Sequence, residues 1–167
     1  MFKNITTIAF DADDTLWENE PFFLAAENQF CALLEDFLPQ HSIVQELYKT
    51  EIKNLPLYGY GIKGFVLSMI ETAINITNNN MSTNIITKIL DIGHSMMQQP
   101  IQLIDGVSET LISLTHKYRL IVATKGDLID QERKLISSGL GIFFHHIEIM
   151  SEKNIALKTY DVIRRPV

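Results

Sequence analysis

The chain opens with a short, nearly continuous apolar run, Ile5 to Phe10, rich in β-branched residues and stopped abruptly by Asp11-Ala12-Asp13-Asp14. A run of that length and character predicts a strand buried on both faces, of the parallel-sheet type. From Pro21 to about Met97 the period changes. Phe23, Ala26, Phe30, Leu33 and Phe37 recur at spacings of three and four, which predicts an amphipathic helix ending near Pro39. Ser42 with Gln45 has the spacing of a capping box for a second helix through Leu47 and Ile52. Tyr58-Gly59-Tyr60-Gly61 is a break. A third helix, Phe65 to Ile76, runs into Asn78-Asn79-Asn80, and a fourth covers about Thr83 to Met97. Four helices in succession without a strand predict a helical module set between two parts of a different architecture.

Pro100 marks the return. Val107, Leu111 and Leu114 make a helical face, and Arg119 to Ala123 is a second buried-type strand. Asp127 is placed to cap another helix, with Leu128, Leu135 and Ile136 on its apolar side and Gly139 near its end. Ile147 to Met150 is a third short strand, and Leu157 to Ile163 starts a further helix. This alternation predicts an α/β fold with an open, Rossmann-like parallel sheet.

Composition narrows the classes of function. The chain has 167 residues, enough for one domain or a domain carrying an inserted module. Its net charge of −6 argues against a general nucleic-acid or anionic-membrane binder. An anionic substrate stays open, because a bound metal ion reverses the local field. The single cysteine, Cys31, falls in the apolar helical pattern and is expected as a buried structural thiol. The N-terminus lacks the apolar stretch of a signal peptide, and no apolar run reaches bilayer length. A cytoplasmic protein is the simplest expectation.

Chemistry gathers at strand ends. In open α/β sheets functional groups collect just beyond the carboxyl ends of strands. The first strand delivers Asp11 and Asp13 there, and residues two apart on extended backbone point to the same side. Two carboxylates facing one small volume call for a cation, a shared proton, or both. A hard divalent ion such as Mg2+ suits such oxygen ligands. The plainer alternative is a solvated turn, with Asp14 or Thr15 starting the next helix. The second strand ends in Ala123-Thr124-Lys125-Gly126-Asp127, a hydroxyl and a glycine before a helix N-terminus, which can supply donors to a phosphate oxygen. An ordinary strand–turn–helix link would read the same way. After the third strand, Ser151-Glu152-Lys153 places a lysine at the same edge, where a lone lysine is usually solvated.

Together these segments resemble the haloacid dehalogenase-like (HAD) hydrolases over essentially the whole chain. Phe10-Asp11-Ala12-Asp13-Asp14-Thr15-Leu16 is similar to the first family motif, Thr124 to the second, and Lys153 to the lysine of the third, with Lys158 as the other claimant. The resemblance implies a hydrolase core over 1–16 and 104–167, with an α-helical cap over 17–103. It implies Asp11 as covalent nucleophile, Asp13 as general acid and base, and Thr124, Lys125 and Gly126 at the phosphate, with Lys153 offsetting charge. Mg2+ would be held by Asp11 and the backbone carbonyl of Asp13. The dehalogenase branch uses no metal and lacks an acid at the second position, so Asp13 points to a phosphatase acting on a small phosphomonoester, with a mutase or a phosphonate hydrolase as the other members the motif allows.

The family's fourth motif, an acidic pair that gives a further metal ligand, has no counterpart before Val167; Asp161 falls in a helical pattern. The resemblance thus also allows a truncated, impaired member kept as a binding or structural unit, with weakened Mg2+ binding and low activity expected. The family's missing strand would lie beside the first one. A phospho-accepting receiver domain is the third class, and the long helical insertion argues against it. The substrate and the oligomeric state are not legible. Trp17, Tyr58 and Tyr60 are candidates for a pocket or for core.

Overall fold

The computed structural model describes residues 5–150. Its elements run β1 (Thr7–Phe10), α1 (Glu20–Leu33), α2 (Gln40–Tyr58), α3 (Ile62–Ile76), α4 (Thr83–Gln98), α5 (Val107–Thr115), β2 (Arg119–Lys125), α6 (Leu128–Ser138), a 3-10 turn (Leu140–Phe143) and β3 (His146–Met150). The three strands form a parallel sheet in the order β1-β2-β3, with Phe10 opposite Val122 and Thr124 opposite Ile149. The chain is an α/β protein with a parallel sheet, as its pattern predicts. The helix expected from Leu157 lies outside the described residues.

Two apolar clusters account for the packing. One joins the four consecutive helices through Phe30, Leu34, Ile43, Leu47, Met69 and Ile89, all fully buried. The other ties the sheet to its helices through Leu16, Trp17, Leu111, Leu120 and Val122. Cys31 is buried in the first cluster, and burial followed by the neighbouring Glu27 carboxylate pushes its thiol up. Two stretches connect the layers and run beside each other: the Glu18 N–H donates to the Gln102 carbonyl, and the Ile104 N–H to that of Leu16. No described helix is long and apolar enough to cross a membrane.

Several local expectations are corrected. The first strand is not buried on both faces. Ile8 and Phe10 turn toward the second cluster, while Thr7 and Ala9 are exposed. Among the described strands β1 lies at the sheet's edge, and β2 holds the doubly covered position instead. Phe37 does not extend the face of α1: the helix stops at Leu33, and the turn that follows leaves the ring exposed. The Ser42–Gln45 capping box does not form, because α2 begins at Gln40 behind Pro39 and Ser42 already lies within its first turn. Ile52 is exposed on α2. By contrast, Ser82 caps α4 and Asp127 caps α6, each accepting an N–H three residues on.

The largest correction concerns α6. Leu128 and Ile136 are 56% and 80% exposed, whereas Asp130, Gln131, Lys134 and Leu135 are buried. Most of its inward face is polar.

Candidate active site

The Phe10–Val122 pairing sets the carboxyl ends of β1 and β2 side by side. Asp11 is the first residue beyond β1 and is exposed, and its Oδ1 accepts the Ala12 N–H at 2.9 Å. Thr124 is the penultimate residue of β2, buried, with its hydroxyl donating to the Lys125 carbonyl at 3.3 Å. After Asp11 the backbone turns sharply. The N–H groups of Thr15 and Leu16 return to the Ala12 carbonyl, and Asp14 takes a left-handed φ of 55°. The Asp14 carboxylate then accepts the N–H groups of Asn19 and Glu20 at 2.9 and 3.0 Å, capping the start of α1 from outside the helix. The turn-and-cap reading therefore holds for Asp14.

Asp13 has different surroundings. Its Oδ1 accepts from the Trp17 indole N–H at 2.8 Å and from Lys134 Nζ at 3.0 Å; its Oδ2 accepts from Gln131 Nε2 at 2.7 Å. Lys134 also donates to Asn19 Oδ1 at 2.7 Å and pairs with Asp130 at 3.3 Å. Both α6 side chains are buried, so these bonds act where water screens poorly and fix the carboxylate's position. The cation beside Asp13 is thus Lys134, which the apolar pattern of α6 gave no reason to select. The signal that could have found it is the spacing of Asp130, Gln131 and Lys134, which share one helix face just past a strand end. Lys153 and Lys158, and Asp161, lie outside the described residues.

A cavity of about 460 Å³ opens between the helical layer and the sheet. Asp13, Lys125, Gly126, Gln131 and Lys134 line it from the sheet side, and Tyr48, Glu51, Asn54, Tyr58, Tyr60 and Ser68 from the helical side. Asp11 and Thr124 are not on its lining. Tyr58 and Tyr60 are therefore pocket residues, whereas Trp17 is core with its N–H spent on Asp13. Gly126 has a φ of 134°, and a Cβ there would lie 2.8 Å from Gln131 Nε2. A side chain at 126 would be strained and would push away the amide that holds Asp13.

The α2–α3 break touches the β2–α6 turn. The Lys125 ammonium stands 4.6 Å from the centre of the Tyr60 ring, and Lys63 pairs with Asp127 at 3.0 Å. Burial works against the charge of Asp127, but the Lys63 ammonium and the Asp130 backbone N–H outweigh it and hold that carboxyl below its ordinary value. Glu51 is shifted the other way: burial first, then repulsion from Glu27, pushes it up to about 7.

Among the described residues no three His, Cys, Asp or Glu gather as a metal cluster. Asp11 offers an exposed carboxylate just beyond β1 and Asp13 a main-chain oxygen, donors of the hard type that Mg2+ takes. That ion is commonly held by one or two carboxylates and fills its remaining positions with water and substrate.

The family model for haloacid dehalogenase-like hydrolases matches residues 5–159. The chain belongs to that family. Its structure is similar to that of a haloacid dehalogenase-like family hydrolase from Xanthomonas campestris, at 40% identity and a TM-score of 0.86 over 92% of this chain and 65% of that one. The magnesium-bound HAD hydrolase YfnB from Bacillus subtilis shares the fold at 20% identity and a TM-score of 0.53, covering 88% of this chain and 64% of that one. The 2-haloacid dehalogenase from Pseudomonas syringae pv. tomato does so at 18% and 0.54, covering 87% and 64%. The chain thus spans slightly less than two thirds of the length of these structures. No curated protein matches it.

Proposed function

We propose that the chain is a magnesium-dependent phosphatase of the cytoplasm, acting on a small phosphomonoester through an aspartyl-phosphate. In this reading 1–16 and 104–167 form the hydrolase core and 17–103 the cap. The observation that carries it is Asp13, an acid two residues beyond Asp11 on the lining of the interlayer cavity. That is the position at which the metal-free dehalogenases have no acid.

Asp11 attacks phosphorus, a P–O bond forms, and the bond to the ester oxygen breaks as Asp13 hands that oxygen its proton. Water then gives a proton back to Asp13 and attacks the same phosphorus, releasing phosphate and restoring Asp11. Thr124, the Lys125–Gly126 turn and Lys153 supply donors and positive charge to the phosphoryl oxygens. When bound by Asp11 and the Asp13 carbonyl, Mg2+ would offset charge on those oxygens. The three donors on Asp13 hold it as an acceptor. Acting as an acid requires one of its oxygens to be released, so the Lys134–Gln131 grip must loosen as substrate enters.

Turnover of para-nitrophenyl phosphate with and without Mg2+ tests the proposal, wild type against Asp11→Asn. Loss of the nucleophile is expected to lower kcat by at least roughly 10³-fold. Full magnesium-dependent turnover by the variant would sink it. Absence of turnover in the wild type would favour a binding or structural remnant of the family.

A further inference from the structure

Glu51 lines the cavity from α2 and is half-buried, yet among the described residues no hydrogen bond or ion pair is formed by its carboxyl. Two other acids near this face are provided for. Glu71 holds Lys53 at 2.6 Å and the Asn54 amide at 2.8 Å, and Asp130 holds Arg133 and Lys134. A partly desolvated carboxyl without a partner costs free energy, and such groups in clefts are functional candidates. Burial and then the nearby Glu27 push it up to about 7, so it carries only part of its charge near neutrality. A donor brought by a ligand would restore that charge.

Its neighbours on the lining sharpen the chemistry. Asn54 spends its amide N–H groups on Ser68 and Glu71, and both Asn54 and Ser68 are buried at the cavity wall. The lysines on the lining, Lys125 and Lys134, both belong to the sheet side. Among the described residues, the helical end of the cavity therefore offers oxygen acceptors and aromatic surface from Tyr48 and Tyr58, with no cation for a second anionic group.

We infer that Glu51 recognises the end of the substrate remote from the phosphate, and that this end carries a hydrogen-bond donor, a hydroxyl or an ammonium group, and no second negative charge. The inference rests on the phosphatase reading for where the phosphate lies. It adds the class of the leaving group: a polyhydroxy or amino alcohol.

Propyl phosphate, 3-hydroxypropyl phosphate and 3-aminopropyl phosphate differ only at that end. With the full chain and Mg2+, wild type is expected to prefer the hydroxy and amino esters over propyl phosphate by roughly tenfold in kcat/KM, mainly through KM. Glu51→Ala should bring both ratios close to one, and Glu51→Gln should keep the hydroxyl preference while losing the amino one. Preference for the hydroxyl alone names a polyol, and for the amine alone an amino alcohol. Propyl phosphate used as well as the others, or ratios unchanged in Glu51→Ala, overturns the inference. If wild type hydrolyses neither these three nor para-nitrophenyl phosphate, the phosphatase reading fails, and ligand-induced Tm shifts with the same esters decide the role of Glu51. A larger shift with the donor-bearing esters that vanishes in Glu51→Ala sustains it, and equal shifts end it. Glu51→Gln, nearly isosteric, serves as the folded control if Glu51→Ala is unstable.

Discussion

The four-helix layer and the strand-end cluster are both buried, but they are held by different forces. In the helical layer, α1 to α4 press Phe30, Leu47, Met69 and Ile89 into one dry interior, where stability scales with apolar area removed from water. At the strand ends, α6 turns Asp130, Gln131 and Lys134 inward; the bonds of Gln131 and Lys134 to Asp13 and Asn19, with the Lys134–Asp130 pair, offset their desolvation only when all are made. The first arrangement tolerates exchange of one apolar group for another of similar volume. The second loses several contacts with any one partner. A fold that keeps such a cluster at the mouth of a cavity has set aside stability for orientation.

The sharpest way to break this contrast is Lys134→Met, which keeps volume and removes the charge. Asp130 and Asp13 then lose their shared cation and keep only Arg133 and the Trp17 and Gln131 donors, and a cost of about 3 kcal/mol is expected by urea unfolding, since removing one member of a buried ion pair leaves the other under-compensated. Mg2+-dependent turnover should fall as well, with kcat affected more than KM, and Lys134→Arg should recover part of it. A variant as stable and as active as wild type would show that the Lys134 bonds contribute nothing to holding Asp13.

In the helical layer the comparable perturbation is steric. Gly93 of α4 meets Val66 of α3 so closely that a Cβ at 93 would lie 2.5 Å from Val66 Cγ2. Gly93→Ala should therefore destabilise by about 2 kcal/mol through overpacking, despite the gain in helix propensity. The double variant with Val66→Ala should regain most of that loss. Gly93→Ala more stable than wild type would mean that the two helices separate at little cost.

The same difference explains what the sequence discloses. Apolar periodicity located all four helices of the first layer and the three strands, because most of the apolar positions there face one of the two clusters. It failed on α6, where Leu128 and Ile136 face solvent and Lys134 faces Asp13. There the inward face is polar because its partners are Asp13 and Asn19. The strand-end positions of Asp11, Asp13 and Thr124 were legible because the apolar runs that precede them mark the strands. Gln131 and Lys134 were not, since their partner lies more than a hundred residues away in sequence. The loss of the expected double-sided burial of β1 has a topological cause: its edge position follows from strand order, which a single apolar run does not encode.

A smaller effect runs the other way. Thr72 of α3 is buried, and its hydroxyl oxygen has no hydrogen-bond partner among the described residues. Thr72→Val removes that unmet group at nearly constant shape and should stabilise by about 1 kcal/mol, read as a higher urea midpoint with unchanged m-value. No comparable gain is available at Gln131. Its Oε1 is likewise buried without a partner, but its Nε2 holds Asp13, so Gln131→Leu should cost both stability and turnover.

The smallest expected effect belongs to the boundary between the two regions, where Glu51 faces the cavity. Its folded value of about 7 stands above its ordinary 4.5, so between those limits the folded chain binds more protons than the unfolded one. Stability from this group is therefore fully present below about pH 4.5, falls as pH rises toward 7, and levels off above it. The group is only half-buried, and solvent screening keeps the amplitude well below that of a fully desolvated carboxyl. Asp127 and Glu71, whose carboxyls are held low, act in the opposite sense and at lower pH, where falling pH removes their contribution. The two windows are separate, so a Tm-against-pH curve can isolate Glu51. Wild type should lose Tm between pH 5 and about 7 relative to Glu51→Gln, and the two curves should converge on the acid side. Parallel curves across that range would mean that Glu51 is solvated like any surface carboxylate, and the cavity wall would then have no unmet group for a substrate to satisfy.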